Sequence, residues 1–277
     1  MATPVTGVSV SWFPGEIHAD VLTGLALLAV AYVWAWRRSG FVPSRHHPAC
    51  FGLALGIVAI ALNSPLHDLS DRYLFSVHMV QHLLLTLVFP PLLLAGTPAW
   101  LADDLIGFAR RGRGLGFVVG RITRPLPAFA LYAVALVAWH LPGPYGSALA
   151  DHRWHIVQHL TLMATATLAW WPVLSPSVLA PPLPYGAQIL YLFVFGMPMT
   201  IVATMITGAE EVLYPFYALA PRITDLSALE DQRLGGIVMW VPAGIIPLAA
   251  FTVVFFRWVA AEAEPADRVD DKDPFVA

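Results

Sequence analysis

Two stretches of the chain place a pair of histidines four residues apart within the same short pattern. Residues 76–87 read SVHMVQHLLLTL and residues 153–164 read RWHIVQHLTLMA, so H-x-V-Q-H-L-x-L occurs twice. Side chains at positions i and i+4 of a helix are neighbours, about 5–6 Å apart at Cβ. Two imidazoles in that arrangement can bind one metal ion, and the spacing therefore predicts a metal site. The predicted ligands are His78, His82, His155 and His159.

The same spacing occurs in the H-E-x-x-H motif of zinc proteases, where the glutamate is the general base. Met79 and Ile156 occupy the position of that glutamate here. The pattern therefore excludes a protease of this class, and we expect no enzymatic activity. Imidazole suits copper, zinc and iron, whereas a thioether selects Cu(I). Because Met163 follows His159 by four residues, the donor set favours copper as the bound metal.

The composition places these histidines on membrane helices. Hydrophobic residues make up 58% of the 277 and charged residues 12%, whereas about a quarter of the residues in soluble domains are charged. Long apolar runs recur without period-two alternation, which predicts spanning helices and not a barrel. The net charge of −3 gives no nucleic-acid-binding footprint, and the single Cys50 excludes an internal disulfide or a C-x-x-C site.

We therefore predict an all-α, polytopic membrane protein with seven transmembrane helices. The predicted spans are 21–36, 51–66, 74–95, 126–141, 154–174, 186–207 and 234–256. The predicted regions are an extracytoplasmic N-terminal segment (1–20), a seven-helix domain (21–257) and an acidic, disordered cytoplasmic tail (258–277).

Basic residues predict the orientation, because loops rich in arginine and lysine stay in the cytoplasm. Eleven basic residues fall on one side of the predicted spans and four on the other. The first set is Arg37, Arg38, Arg45, Arg110, Arg111, Arg113, Arg121, Arg124, Arg257, Arg268 and Lys272; the second is Arg72, Arg153, Arg222 and Arg233. The N-terminus is therefore expected outside and the C-terminus inside, in a bacterial cytoplasmic (inner) membrane.

On this topology the polar residues of the spans collect on the outer, periplasmic side. The four predicted ligands lie in the first turns of spans three and five, and His140 ends span four as a fifth candidate ligand. Polar groups at the same depth would orient the imidazoles. These supporting residues are Gln81, Gln158, Asn63, Asp231 and Met163. Asp231 also fits a capping role at span seven, and His18, His67 and His152 are assigned to loops.

The two histidine patterns are part of a longer correspondence. At an offset of 77 positions, His78 aligns with His155, and Pro65 aligns with Pro142. The offset covers two helices, so both copies have the same orientation in the membrane. The pattern therefore predicts a parallel two-helix repeat whose pseudo-axis runs along the membrane normal.

Other functions remain open at this point. A b-type haem needs one imidazole from each of two helices, for example His82 with His159, and a membrane redox protein is the main alternative. A metal transporter needs polar groups along a path, yet the cytoplasmic halves of the spans have few. Histidines near a membrane surface also serve in helix packing alone, which would leave an assembly scaffold without metal.

Several longer motifs resemble the CtaG-type cytochrome c oxidase assembly factors. They are PLHDLS at 65–70, HMVQHLLL at 78–85, PPLLLAGTP at 90–98, HIVQH at 155–159, WWPVLSP at 170–176 and DQRLGGIVMW at 231–240. The resemblance implies a multi-spanning protein that serves maturation of heme-copper oxidases through copper delivery. The implied partners are the oxidase core subunit or other assembly factors, besides the lipid bilayer. In that family the position before His159 is often acidic, whereas here it is Gln158.

Overall fold

The computed structural model describes residues 17–41 and 44–263, and over these residues the chain is helical without strands. The predicted all-α class is confirmed. The helices are α1 (Ala19–Ser39), α2 (His46–Leu62), α3 (Pro65–Arg72), α4 (Phe75–Leu83), α5 (Phe89–Gly96), α6 (Ala99–Arg111), α7 (Arg113–Ile122), α8 (Pro125–His140), α9 (Pro142–Ala150), α10 (His152–Leu174), α11 (Tyr185–Phe195), α12 (Met197–Gly208), α13 (Pro215–Leu219) and α14 (Ala228–Ala263).

Several of these helices are long and apolar enough to cross a membrane. Among the described residues they are α1, the continuous stretch Phe75–Gly96, the stretch Tyr185–Gly208 and α14. Two bent pairs, α2 with α3 and α7 with α8, raise the number from four to six. The chain is thus a membrane protein by its helices, and the seven spans and their orientation stay predictions. Helix α10 has 23 residues, but polar side chains crowd its first turns.

Proline and serine set the starts of the two short helices that precede the histidine pairs. Pro65 and Pro142 occupy the first turns of α3 and α9, where a fixed φ and a missing N–H are tolerated. The Ser64 side chain caps α3 by accepting a hydrogen bond from the Leu66 N–H at 3.1 Å. The first residues of α3 and α9 are therefore separated by the same 77 positions as the histidine pairs. The first residues of α4 and α10 have the same separation. The repeat symmetry itself stays a prediction.

A π-helical segment, Leu84–Val88, follows α4 directly after its second histidine. In such a segment the hydrogen bonds widen to i→i+5, and the change of twist often accompanies a functional site. The Thr86 hydroxyl donates to the His82 carbonyl at 2.7 Å. This bond satisfies a backbone acceptor at the point where the α-helical pattern changes.

Helix α14 packs tightly against α4 and α12 through two adjacent glycines. A Cβ atom on Gly235 would overlap the ring of Phe75, and one on Gly236 would overlap the side chain of Thr207. The absence of a side chain at both positions therefore allows the helix backbones to approach closely. The core around this contact includes Phe75, Met79, Leu162, Ala166, Trp170, Ala203, Met239 and Ala243.

Helix α1 lies at the edge of the bundle and is attached near its end. Tyr32 is buried, donates to the Gly96 carbonyl at 2.7 Å and stacks on Phe51 with ring centroids 3.9 Å apart. Most other side chains of α1 are exposed or half-buried. The first half of α1 therefore does not pack closely against α2 and α10, and a cavity lies between these helices.

The connection after α10 is held by a carboxylate of α6. Asp103 accepts hydrogen bonds from the Ser177 hydroxyl at 2.5 Å and the Leu179 N–H at 3.1 Å. The bond from Ser177 is the main reason why the pKa of Asp103 lies below its usual value.

The first and last helices extend beyond the predicted boundaries of the membrane domain. Helix α1 begins at Ala19, within the segment predicted as extracytoplasmic, and residues 1–16 lie outside the described residues. Helix α14 continues to Ala263, six residues past the predicted end of the membrane domain at 257. The remainder of the predicted acidic tail, 264–277, also lies outside the described part of the chain.

Candidate metal site

One histidine pair lies on α4 and the other on α10, and the two pairs face each other. Ligand atoms of His78, His155 and His159 all lie within 4.8 Å of one another. The Nε2 atom of His82 lies 2.9 Å from the Nε2 atom of His78. The ring of His140, at the end of α8, lies 5.5 Å from that of His82 between centroids. The five predicted ligands therefore form one group, which we call the buried histidine cluster.

All five side chains of this cluster are buried, with exposed fractions between 0% and 6%. Within the described residues, four of their ring nitrogens are buried and have no hydrogen-bond partner: His82 Nδ1, His140 Nε2, His155 Nε2 and His159 Nε2. Buried polar atoms are nearly always satisfied, and each exception requires an explanation. Ligand nitrogens of His78, His155 and His159 lie within 4.8 Å of one another, and imidazole suits copper, zinc and iron, so these residues fit such an ion.

The hydrogen-bond network assigns the protons of two of these rings. The Nδ1 atom of His140 lies 2.7 Å from the Leu136 carbonyl, so it carries the proton and leaves Nε2 with a lone pair. The Tyr217 hydroxyl donates to the Ser70 carbonyl at 2.7 Å and accepts from His78 Nδ1 at 2.9 Å. His78 Nε2 therefore also has a lone pair, directed towards His82.

Asp71, at the end of α3, supplies a carboxylate beside the cluster. Its Oδ2 atom lies 3.2 Å from His155 Nδ1 and 3.4 Å from His67 Nε2, and its Oδ1 atom lies 4.0 Å from His78 Nδ1. A carboxylate on the far nitrogen of a histidine fixes the ring and makes the other nitrogen a better metal ligand. Because Asp71 contacts Nδ1 of His155, the unpartnered Nε2 of that ring faces away from the carboxylate.

Sequence reasoning missed Asp71, Tyr217 and His67. A signal existed for Asp71, because it follows His67 by four residues in a segment that reads PLHDLSDR. Tyr217 lies in the short helix α13, in the connection between α12 and α14. Its contact with His78 joins residues 139 positions apart and depends on tertiary packing.

Gln81 and Gln158 occupy equivalent places beside the two pairs but have different surroundings. The Gln81 amide donates to the Ala61 carbonyl at 2.8 Å and to His67 Nδ1 at 2.9 Å, and its oxygen accepts from Ser70 at 3.2 Å. Gln81 therefore orients His67, and its hydrogen bonds connect α4 to α2 and α3. Both amide atoms of Gln158 are buried without a partner in the described part of the chain.

Two other predicted supporting residues hold backbone segments that position the site. Asp231 accepts hydrogen bonds from the Phe75 N–H at 2.7 Å and from the N–H and hydroxyl of Ser76 at 3.2 and 2.5 Å. It therefore caps α4, the helix of His78, although the sequence suggested a cap on its own helix. Asn63 bonds to both the N–H and the carbonyl of His18 at 3.0 Å.

Met163, the last predicted supporting residue, lines a cavity of about 460 Å³ between α1, α2 and α10. His155 and His159 line the same cavity. The thioether is thus beside two members of the cluster, as expected from its spacing along the helix.

The sequence model of one family, described as cytochrome c oxidase caa3 assembly factor, matches residues 28–261. The chain belongs to this family. The matched residues include the whole buried histidine cluster and Asp71. The CtaG-type resemblance of the sequence motifs is therefore confirmed.

Three curated relatives of the chain are mycobacterial proteins. The chain is 24% identical over 209 residues to uncharacterized proteins of Mycobacterium bovis and Mycobacterium tuberculosis, and 22% identical over 215 residues to one of Mycobacterium leprae. Each match covers 71% of this chain and 32% of the relative. The chain thus spans about a third of the length of the curated relatives it matches. No solved structure matches it significantly.

Proposed function

We propose that this protein assists the maturation of a cytochrome c oxidase by binding copper on the buried histidine cluster. The observation that carries the proposal is the set of four buried imidazole nitrogens that lack a partner in the described residues. In such a role copper is cargo, held by the protein and passed on. The chemistry is ligand exchange, and the chain needs no nucleophile or general base for it.

The charge of the site supports Cu(I) in particular. Five neutral imidazoles and the Met163 thioether are donors that Cu(I) accepts. A Cu(I) ion and the Asp71 carboxylate have opposite unit charges, and the carboxylate lies 3.2 Å from His155. The loaded site would therefore be close to neutral, which limits the free-energy penalty of burying a charge.

The spacing of the rings favours metal ions over the haem alternative. A haem between His82 and His159 would need a flat slot for its macrocycle. Their centroids are 5.5 Å apart, but the His78 ring lies 4.5 Å from His82 and 6.2 Å from His159. His155 lies 4.3 Å from His159. These rings occupy the space that the macrocycle would fill.

The expected partner is the core subunit of a heme-copper oxidase or another assembly factor. The family supports this partner class, and the predicted orientation would place the cluster near the outer surface of a bacterial cytoplasmic membrane. Delivery from that side, without transport of the ion across the membrane, is the route that best fits a cluster confined to one end of the stretch Phe75–Gly96 and one end of α10.

The proposal is tested by metal analysis of the purified, full-length protein. The apo-protein is incubated with Cu(I) held by a colorimetric chelator, and bound copper is measured after gel filtration. The variants are His78→Ala, His155→Ala and His159→Ala. His46→Ala is the control, because His46 is exposed and lies at the start of α2, far from the cluster in the sequence.

Copper bound by the wild type and by His46→Ala, but lost in the cluster variants, supports the proposal. A Soret band in the purified protein that disappears in the same variants would replace copper with haem. If the wild type binds neither copper nor haem, the protein acts as a scaffold and the cluster holds water. In a deletion strain, oxidase activity restored by the wild type but not by His159→Ala would link the cluster to assembly.

A further inference from the structure

A second group of potential metal ligands lies at the exposed end of the cavity that reaches the buried histidine cluster. Ligand atoms of His18, Asp20 and His152 lie within 4.8 Å of one another. His152 Nε2 is 3.8 Å from Asp20 Oδ2, and the rings of His18 and His152 stack with centroids 5.6 Å apart. We call these three residues the outer group.

The outer group is accessible, unlike the cluster. The side chains of His152 and Asp20 are 58% and 52% exposed, whereas those of the cluster are buried. An exposed set of two imidazoles and one carboxylate is able to take an ion from water, because it offers ligands without requiring full desolvation. Exposure also makes the binding weak and reversible, which suits a site that gives its ion up.

One cavity joins the outer group to the cluster. Its volume is about 460 Å³, and its lining includes all three residues of the outer group together with His67, His155 and His159. His155 and His159 have unpartnered Nε2 atoms. The cavity therefore starts at exposed ligands and ends at buried ones.

Histidine rings follow one another along this route. The ring of His67 lies 4.5 Å from that of His18 and 5.9 Å from that of His155. Asp71 lies between His67 and His155, 3.4 and 3.2 Å from their nearest nitrogens. The remaining lining includes Leu25, Leu62 and Phe89, and in such apolar surroundings a bare cation has a high free energy. An ion would therefore move between ligands and not through open space.

We propose that the outer group is the loading site through which copper reaches the buried histidine cluster along this cavity. The inference rests on the proposed function, since it requires the cluster to bind copper. No bond other than metal–ligand bonds forms or breaks, and the ion keeps its oxidation state. In this proposal the start of α1 supplies His18 and Asp20, and the helix forms one wall of the cavity.

The experiment compares the rate of loading with the final occupancy. Full-length apo-protein in detergent is mixed with Cu(I) held by a chelator, and copper uptake is followed over time. The variants are Asp20→Asn and the double variant Asp20→Asn/His152→Gln, which keep side-chain size and polarity at the helix ends. His155→Ala reports loss of the cluster, and His46→Ala is a control for removal of an exposed histidine.

We expect the double variant to load about tenfold more slowly, which matches the lower end of the 10–100-fold losses of metal affinity or activity that follow removal of residues supporting a metal site. Its final occupancy of the cluster should equal that of the wild type. Wild-type loading rates in the double variant would overturn this inference alone. Absence of copper uptake in the wild type would overturn the proposed function and this inference together. Reduced final occupancy with an unchanged rate would make the outer group a structural part of the cluster and so overturn the loading role.

Discussion

The Nε2 atoms of His78 and His82 lie 2.9 Å apart within the buried histidine cluster. His78 Nδ1 donates to Tyr217, so its Nε2 has a lone pair. Either His82 donates a proton across this gap, or both lone pairs bind one cation. In either case His82 Nδ1 is buried without a partner in the described residues. The i,i+4 spacing therefore produces two nitrogens at nearly the separation of ligands on one metal ion, since metal–nitrogen bonds are about 2.0–2.1 Å.

Tyr217→Phe should weaken copper binding without removing the site. The variant loses the hydroxyl that accepts from His78 Nδ1 and fixes the ring. Removal of an orienting partner typically lowers metal affinity about 10–100-fold. Competition with a Cu(I) chelator should show this loss at unchanged copper stoichiometry. The matched control is Tyr214→Phe, which loses a buried hydroxyl that donates to the His140 carbonyl and contacts no ring nitrogen. Equal losses in both variants would contradict the orienting role.

Asp71→Asn should lower copper affinity more strongly than any other carboxylate substitution near the cluster. Its carboxylate lies beside His67, His78 and His155, and Asn keeps the shape but removes the negative charge. We expect a loss of about 10–100-fold, as for other carboxylates that hold ligating histidines. Asp68→Asn is the control from the same helix, where Asp68 lies 3.9 Å from Arg72. An unchanged affinity in Asp71→Asn would remove this residue from the site.

The convergence of the two histidine pairs could be anticipated from the sequence because it depends on local rules. The i,i+4 spacing places each pair on one helix face, and the repeated pattern places both pairs at corresponding positions of two helices. His140 joins them because it ends α8, two residues before the proline that starts α9. The helical class was equally accessible, since apolar segments of this length have few other stable forms in a membrane.

The partners of the supporting residues could not be predicted because they are distant in the sequence. Asp231 caps α4 from 156 positions away, and Asn63 holds the backbone of His18 from 45 positions away. His67 and His152 were assigned to loops, yet α3 and α10 contain them and both line the cavity. Buried polar groups are generally expected to form hydrogen bonds, but the packing of the helices determines which groups they bond to.

Asp231→Ala should destabilise the fold and leave copper stoichiometry unchanged. The carboxylate accepts from two backbone N–H groups at the start of α4 and from Ser76, and the variant leaves these buried donors unsatisfied. Hydrogen bonds to charged groups contribute about 1.5–3 kcal/mol each, so thermal unfolding in detergent should shift clearly downwards. Asp225→Ala is the control, because Asp225 is exposed. Loss of copper with unchanged stability would instead make Asp231 a direct supporting residue of the metal.

Gly236→Ala should destabilise the contact between α12 and α14. An added Cβ would overlap the Thr207 side chain and would lie 2.9 Å from the Ala203 carbonyl oxygen and the Thr207 nitrogen. Part of this overlap involves backbone atoms, so a rotamer change cannot relieve it. Overpacking of this kind costs about 1–3 kcal/mol. Gly244→Ala in the same helix is the matched control, because a Cβ there meets nothing within 4 Å. The control should be neutral or more stable by up to about 1 kcal/mol, the helix-propensity gain of alanine over glycine. Denaturant titration of both variants measures the difference, and equal stabilities would show that α12 moves aside without penalty.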